Sequence, residues 1–190
     1  YNTAIIGNIV GDFINNSASS GGAIYNNDTI KNVKGNFVFN SAQHDGGAIS
    51  NDEVINAIFA GFRNNRAEYG GAISNSIYGV IGGIIGSFVN NSATYAGGAI
   101  YNRNKVGGIT GDFISNSAKN HGGAIYNTAI IGNIVGDFIG NSAGNNGGAI
   151  YNDDGTIGNI SGDFINNSAK YRGGAIYNTD GTIGNITGDF

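Results

Sequence analysis

The sequence predicts an all-β fold, a parallel β-helix (β-solenoid) with three short strands in each coil of about 25 residues. Three observations lead there. A Gly-Gly-Ala-Ile element starts at Gly21, Gly46, Gly70, Gly97, Gly122, Gly147 and Gly173, and a fixed period of this length marks a stacked repeat protein. A Phe stands ahead of each one, at Phe13, Phe37, Phe62, Phe88, Phe113, Phe138 and Phe164. The composition is hostile to helix: Leu, Met and Pro are absent and Gln occurs once. The apolar residues are mainly Ile, Val, Phe, Tyr and Ala, and all but Ala favour strands. Leucine-rich repeats share the period, but a chain without Leu cannot build them.

The first strand of each unit is Ile-x-Gly-x-Phe. Four residues before each Phe sits Ile9, Val33, Ile58, Ile84, Ile109, Ile134 or Ile160, and two before it sits Gly, or Ala60 in the third copy. The positions between vary, so fixed and free residues alternate with period two, as in a strand with one buried face. Three residues after the Phe comes Asn16, Asn40, Asn65, Asn91, Asn116, Asn141 or Asn167. A step of three breaks the alternation and places a bend there. Asn-x-Ala is the second strand, with Ser17 or Arg66 among its outward residues, and a variable loop follows. After Gly-Gly come a fixed Ile, an outward residue that is usually Tyr, and a fixed Asn, as in Ile125-Tyr126-Asn127. This is the third strand. A Gly-Asn corner such as Gly132-Asn133 returns the chain to the first.

These strands are joined by two to six residues, with no room for a hairpin. Each must therefore pair in parallel with its equivalent in the next coil, and the crossover rule makes the coil right-handed. The whole chain, 1–190, reads as one continuous solenoid of about 7.5 coils and as a section of a longer repeat protein. At roughly 4.8 Å per coil the rod is about 36 Å long. Phe stacked on Phe and Ile on Ile form a dry column, each worth about 1.5–3 kcal/mol. The inward Asn residues must find partners, because an unpaired buried amide is costly, and a ladder of stacked amides supplies them.

Composition excludes several functions. The net charge is −4 with 12% charged residues, which gives no basic stripe for nucleic acid. No apolar run reaches membrane-spanning length, so no membrane insertion by this segment is expected. There is no Cys, hence no disulfide framework.

The paired motifs Gly122-Gly123-Ala124-Ile125 and Phe113-Ile114-Ser115-Asn116, repeated along the chain, resemble those of the polymorphic outer membrane proteins of chlamydiae and related autotransporter passengers. The resemblance implies a secreted, surface-exposed β-helical stalk, adhesive in type and carried by a C-terminal membrane barrel that these residues do not include. Its partners would be a host or neighbouring cell surface or glycans; separately, the open ends of a solenoid expose unpaired strand edges and apolar columns, templates for further copies of the chain joined end to end or laterally. The alternative is a β-helix that binds or cleaves polysaccharide.

The residues left free by the repeat are the candidates for chemistry. Asp137, Asp163 and Asp189 stand before successive Phe positions, about 5 Å apart on one face. Carboxylates so placed could serve a retaining glycosidase or share Ca²⁺, against the plainer reading of a solubilising edge. No catalytic residue and no other cofactor is expected. His44 and His121 occupy equivalent loops too far apart for a shared site. Tyr101, Tyr126, Tyr151 and Tyr177 form an outward column able to meet sugars or protein, or simply to stack across coils. Phe59 and Ile85 are outward and apolar, and Arg63, Arg66 and Tyr69 lie close in sequence, an interface-like composition. Residues 1–14 recur unchanged at 126–139, a duplication that suits a spacer better than an enzyme.

Overall fold

The computed structural model describes residues 1–190 and contains strands and turns but no helix. Every pairing is parallel and joins each strand to its counterpart one coil away, giving three sheets along one axis. Coils 1 to 7 are named here by Phe13, Phe37, Phe62, Phe88, Phe113, Phe138 and Phe164. The long sheet carries the Ile-to-Phe segments. The Ser-Ala sheet carries Ser17–Ala18 and its equivalents. The Ile-Tyr-Asn sheet carries Ile24–Asn26 and its equivalents.

Like pairs with like throughout. Phe37 lies opposite Phe13 and Phe62, and the rings stack with centroids 4.6–5.1 Å apart and planes within 10°. Beside them run two aliphatic columns, Ile30-Ile55-Ile81-Val106-Ile131-Ile157 and Val33-Ile58-Ile84-Ile109-Ile134-Ile160, all buried. Ile131 and Ile134 both point inward although three residues apart. The chain bends at Gly132-Asn133, and the strand Ile130–Val135 keeps its pairing through the bend. Across the core, the Ile of the third strand and the Ala of Gly-Gly-Ala complete one 30-residue cluster.

The Ile-x-Gly-x-Phe segment is less straight than its alternation predicts. It is one unbroken strand only in Thr29–Val38 and Val54–Arg63. In the other coils the ladder breaks at the Gly before the Asp position, where φ is +144° to +154°.

The bend expected between Phe and Asn is made by one left-handed residue. Asn15, Phe39, Asn64, Asn90, Ser115, Gly140 and Asn166 all have φ between +54° and +64°. Asn and Gly tolerate this region, and Phe does not. The Gly-Gly pair divides two tasks. Gly46 has φ +61°, and a Cβ there would sit 2.0 Å from the Ile49 carbonyl oxygen. At Gly47 a Cβ would meet the Gly71 carbonyl of the next coil at 2.1 Å. One glycine turns the chain and the other lets the coils close.

Both Asn columns are buried ladders. The Asn116 amide nitrogen donates to Asn141 Oδ1 at 3.0 Å and to the Phe88 carbonyl at 2.9 Å. Its Oδ1 accepts both the side-chain and backbone N–H of Asn91, each at 3.0 Å. The second ladder, Asn26-Asn51-Asn75-Asn102-Asn127-Asn152, donates in the same direction at 2.8–2.9 Å. Each of its amides also donates to a carbonyl a few residues on, such as Glu53 for Asn51. The amides of both ladders are thus partnered, as an apolar interior requires, whereas the buried Asn146 Oδ1 in the loop column has no partner.

Two substitutions test this framework. Asn116→Ala strips the acceptor from two Asn91 donors and the donor from the Phe88 carbonyl, and should cost about 3 kcal/mol in denaturant unfolding. Phe39→Gly relieves a left-handed aromatic that is exposed, and should gain about 1 kcal/mol. A Phe39→Gly chain no more stable than the parent would remove the strain assigned to that corner.

Candidate functional site

With the inward positions committed to packing and ladders, the functional candidates are the columns displayed on the three faces. On the Ile-Tyr-Asn face, Tyr101, Tyr126, Tyr151 and Tyr177 fall in register. Successive ring centroids are 5.0–5.1 Å apart, and Tyr126 and Tyr151 are 5° from parallel. Tyr101, Tyr126 and Tyr151 therefore stack face to face, while Tyr177 is tilted by 39° from Tyr151. Ser50 and Ser74 interrupt the column in coils 2 and 3 and are themselves buried. Tyr69 comes from the loop column and packs its ring 5.0 Å from Tyr101. It lines, with Asp45, Tyr101 and Arg103, a cleft of about 210 Å³ beside Ser74, whose hydroxyl donates to Asp45.

The electrostatics of this face keep the phenols neutral. Tyr126 donates to Asp153 Oδ2 at 2.8 Å, and burial, then that hydrogen bond, pushes its pKa far above the ordinary value. The Tyr25 hydroxyl bonds to Asp52. That bond, with burial second, pushes Tyr25 up to about 12. Burial also raises Tyr69, Tyr101 and Tyr151. His121 packs 4.8 Å from Tyr151, and burial lowers its pKa against the pull of Asp153. His44 instead pairs with Glu68 at 3.3 Å. The two histidines are not in equivalent positions: the register aligns Asp45 with Tyr69 and Ala96 with His121. Both lie in equivalent three-residue loops, His44 at the middle position and His121 at the last.

On the long sheet, the Asp row has a structural task. Oδ1 of Asp112, Asp137 and Asp163 each accepts the backbone N–H of the residue one coil on, at 2.9–3.0 Å. Asp137, Asp163 and Asp189 thus form one row, with Asn36, Gly61 and Ser87 in its middle coils. No group of three or more His, Cys, Asp or Glu side chains is placed to share a cation.

The residues clustered near the third copy separate onto different faces. Phe59 and Ile85 are neighbours in register on the long sheet, exposed, with Lys34 Nζ lying 5.3 Å from the Phe59 ring centroid. Arg63 is at the end of that sheet, in line with Val38 and Val89. Arg66 is around the corner on the Ser-Ala sheet, in line with Ser41 and Ser92. It borders a groove of about 760 Å³ lined by Ser17, Ser41, Gln43, Thr94 and small neighbours, with no carboxylate or imidazole.

One displayed column escaped the sequence reading. The residue after each Phe is Ile14, Val38, Val89, Ile114, Ile139 or Ile165, with Arg63 the one departure, and these residues pair in register outside the core. Its signal was present, since Phe-Ile or Phe-Val recurs in every other complete copy.

Such geometry defines a tandem-repeat parallel β-solenoid, with a scaffold of identical rungs and variation confined to its surface. Five stretches of the chain, residues 11–27, 86–103, 111–128, 137–153 and 161–179, match the Chlamydia polymorphic membrane protein repeat. Comparison with curated proteins and with solved structures gives no match. The matched segments begin before a Phe and run through the Gly-Gly-Ala-Ile strand, and they leave out residues 28–85, the irregular coils 2 and 3.

The phenols supply a pH test. Their raised folded pKa values favour the protonated form, so this stabilisation is complete below about pH 10 and is lost as pH rises through the folded values. Unfolding midpoints should hold steady to pH 10 and fall between pH 10 and 12, the window set by Tyr25. Asp52→Asn and Asp153→Asn should each move part of the tyrosinate absorbance to lower pH. An unchanged titration would show that neither carboxylate acts on its phenol.

Proposed function

We propose that this chain is a non-enzymatic structural segment of a cell-surface protein: a β-solenoid stalk of the autotransporter-passenger type that displays adhesive side chains at fixed spacing. The observation that carries the reading is the set of five matches to a repeat named for a membrane protein. The physical design supports it. Parallel pairing between coils gives a stiff rod, and 135 backbone hydrogen bonds hold its 190 residues.

Two features favour display over catalysis. Tyr101, Tyr126 and Tyr151 stack on one another, which narrows the open ring face available to a sugar along coils 4 to 6. The Asp carboxylates spend an oxygen on backbone N–H groups, and the largest groove contains no acid–base pair. Adhesion would then rest on surface shape, exposed apolar residues and unpaired arginines.

Protease shaving of intact cells that produce the full protein tests the location. Antibody against the 190-residue segment should lose its signal on shaving before any permeabilisation. Signal that survives until the cells are opened would overturn the surface assignment. Adhesion is tested separately, by counting cells bound to immobilised segment against a Phe59→Ser/Ile85→Ser/Arg63→Ser variant, which should bind several-fold fewer.

A further inference from the structure

The outward face of the long sheet carries three columns side by side, two residues and so roughly 7 Å apart. The first column is Val10, Lys34, Phe59, Ile85, Thr110, Val135 and Ser161. In the middle is the acid row, interrupted at Asn36, Gly61 and Ser87. The third is the aliphatic ridge, interrupted only by Arg63. The interruptions coincide. Coils 2 to 4 lose their acids where Lys34 and Arg63 appear, and coils 5 to 7 keep Asp112, Asp137 and Asp163 with no cation in these columns. Gly61 also leaves a notch of about 340 Å³, walled by Asn36, Ser87, Val38, Val89 and Arg63. Neither Lys34 nor Arg63 is in an ion pair, since the one such contact in the chain is His44 with Glu68.

We propose that this face is a self-complementary docking surface for a second copy of the chain, packed face to face with its coils running in the opposite direction. A two-fold axis in the interface, parallel to the strands and between coils 4 and 5, sets coil 3 against coil 6 and coil 2 against coil 7. Each column then meets its own kind in reverse order. Asp137 of one copy enters the Gly61 notch beside Arg63 of the other, and Asp163 meets Asn36 beside Lys34. Phe59 meets Val135, and Val38 and Val89 meet Ile165 and Ile114. The parallel arrangement would set each acid row against itself, a like-charge contact that opposes pairing. The charge pattern thus selects the orientation as well as the partner. The contact spans five coil steps, roughly 24 Å by 20 Å, or about 1,000 Å² over both copies, at the small end of specific interfaces. Pairing on the order of 10 µM fits that size.

Sedimentation velocity of the 190-residue chain, from about 1 to about 200 µM, reads the pairing directly. A monomer–dimer equilibrium that weakens with salt is expected. Gly61→Asp restores the residue usual at that position. A Cβ at Gly61 meets only Asn36 Oδ1, at 3.2 Å, so the fold persists, and pairing should weaken at least tenfold. Arg63→Glu should do the same, and Arg63→Glu/Asp137→Arg should return the affinity to within about threefold of the parent. The chain has no Cys, so orientation can be read by disulfide trapping: a Val38→Cys chain should couple to an Ile165→Cys chain and not to itself. A parent chain that stays monomeric overturns the proposal. So does a Gly61→Asp chain that pairs as tightly as the parent, a charge swap that fails to restore pairing in a folded chain, or trapping of Val38→Cys with itself.

Discussion

The Asn ladders are the constraint on which the rest depends. A buried primary amide brings two donors and a carbonyl that must all be paired, and here another amide 24 to 27 residues away supplies most of the partners. This works only if every coil places Asn at the same height and angle, so it fixes the register. A slip of one residue would orphan the amides as well as turning the Ile and Phe side chains outward. Phe stacking alone tolerates sliding, because an aromatic face has no directional donor. The corners follow from the ladder. A left-handed residue must precede the first Asn, and a glycine must let the next coil approach to ladder distance.

The ladders are also polar. In both columns the amide nitrogen donates toward the C-terminal coil and the oxygen accepts from the N-terminal one. Aligned donors polarise one another, and a run of such bonds is worth more than isolated pairs. The pattern explains why Asn occupies these positions without exception. Asp lacks the donor, Ser is too short to bridge coils, and Gln would not fit the tight turn its carbonyl partners define.

What the sequence made legible is what repetition enforces. Inward Ile, Phe, Asn and Ala recur because each must match the coil above and below, and self-alignment exposes them without any homologue. The Gly-Gly corners and the bend before Asn65 were legible for the same reason. The outward face obeys no such rule. Arg63 and Arg66 are three residues apart, yet the left-handed Asn64 between them sends one to each of two sheets. Tyr69 left its neighbours to pack on Tyr101 from another coil. The aliphatic ridge after each Phe was hidden by a different habit, since an apolar residue next to a fixed Phe is easily read as part of the same core.

Departures from a repeat carry information in proportion to what they cost. Asp at the position of Gly61 would give its oxygen to the next coil's N–H, as Asp112 does for Asp137, so replacing it gives up a stabilising bond. Phe39 in a left-handed corner is strained, and Phe59 is left partly in water. Recent duplication tends to erase such costs, because a fresh copy arrives with the full set of favourable residues. Yet coils 2 and 3, the region outside the five family matches, hold most of them together: Lys34, Phe39, Phe59, Gly61, Arg63 and Arg66. Drift would scatter unfavourable changes over inward and outward positions alike. Here the inward Ile, Phe and Asn rungs of coil 3 are intact, and the departures lie mainly on the surface. Where the scaffold is kept and only the displayed residues differ, what the surface meets is what distinguishes one coil from the next.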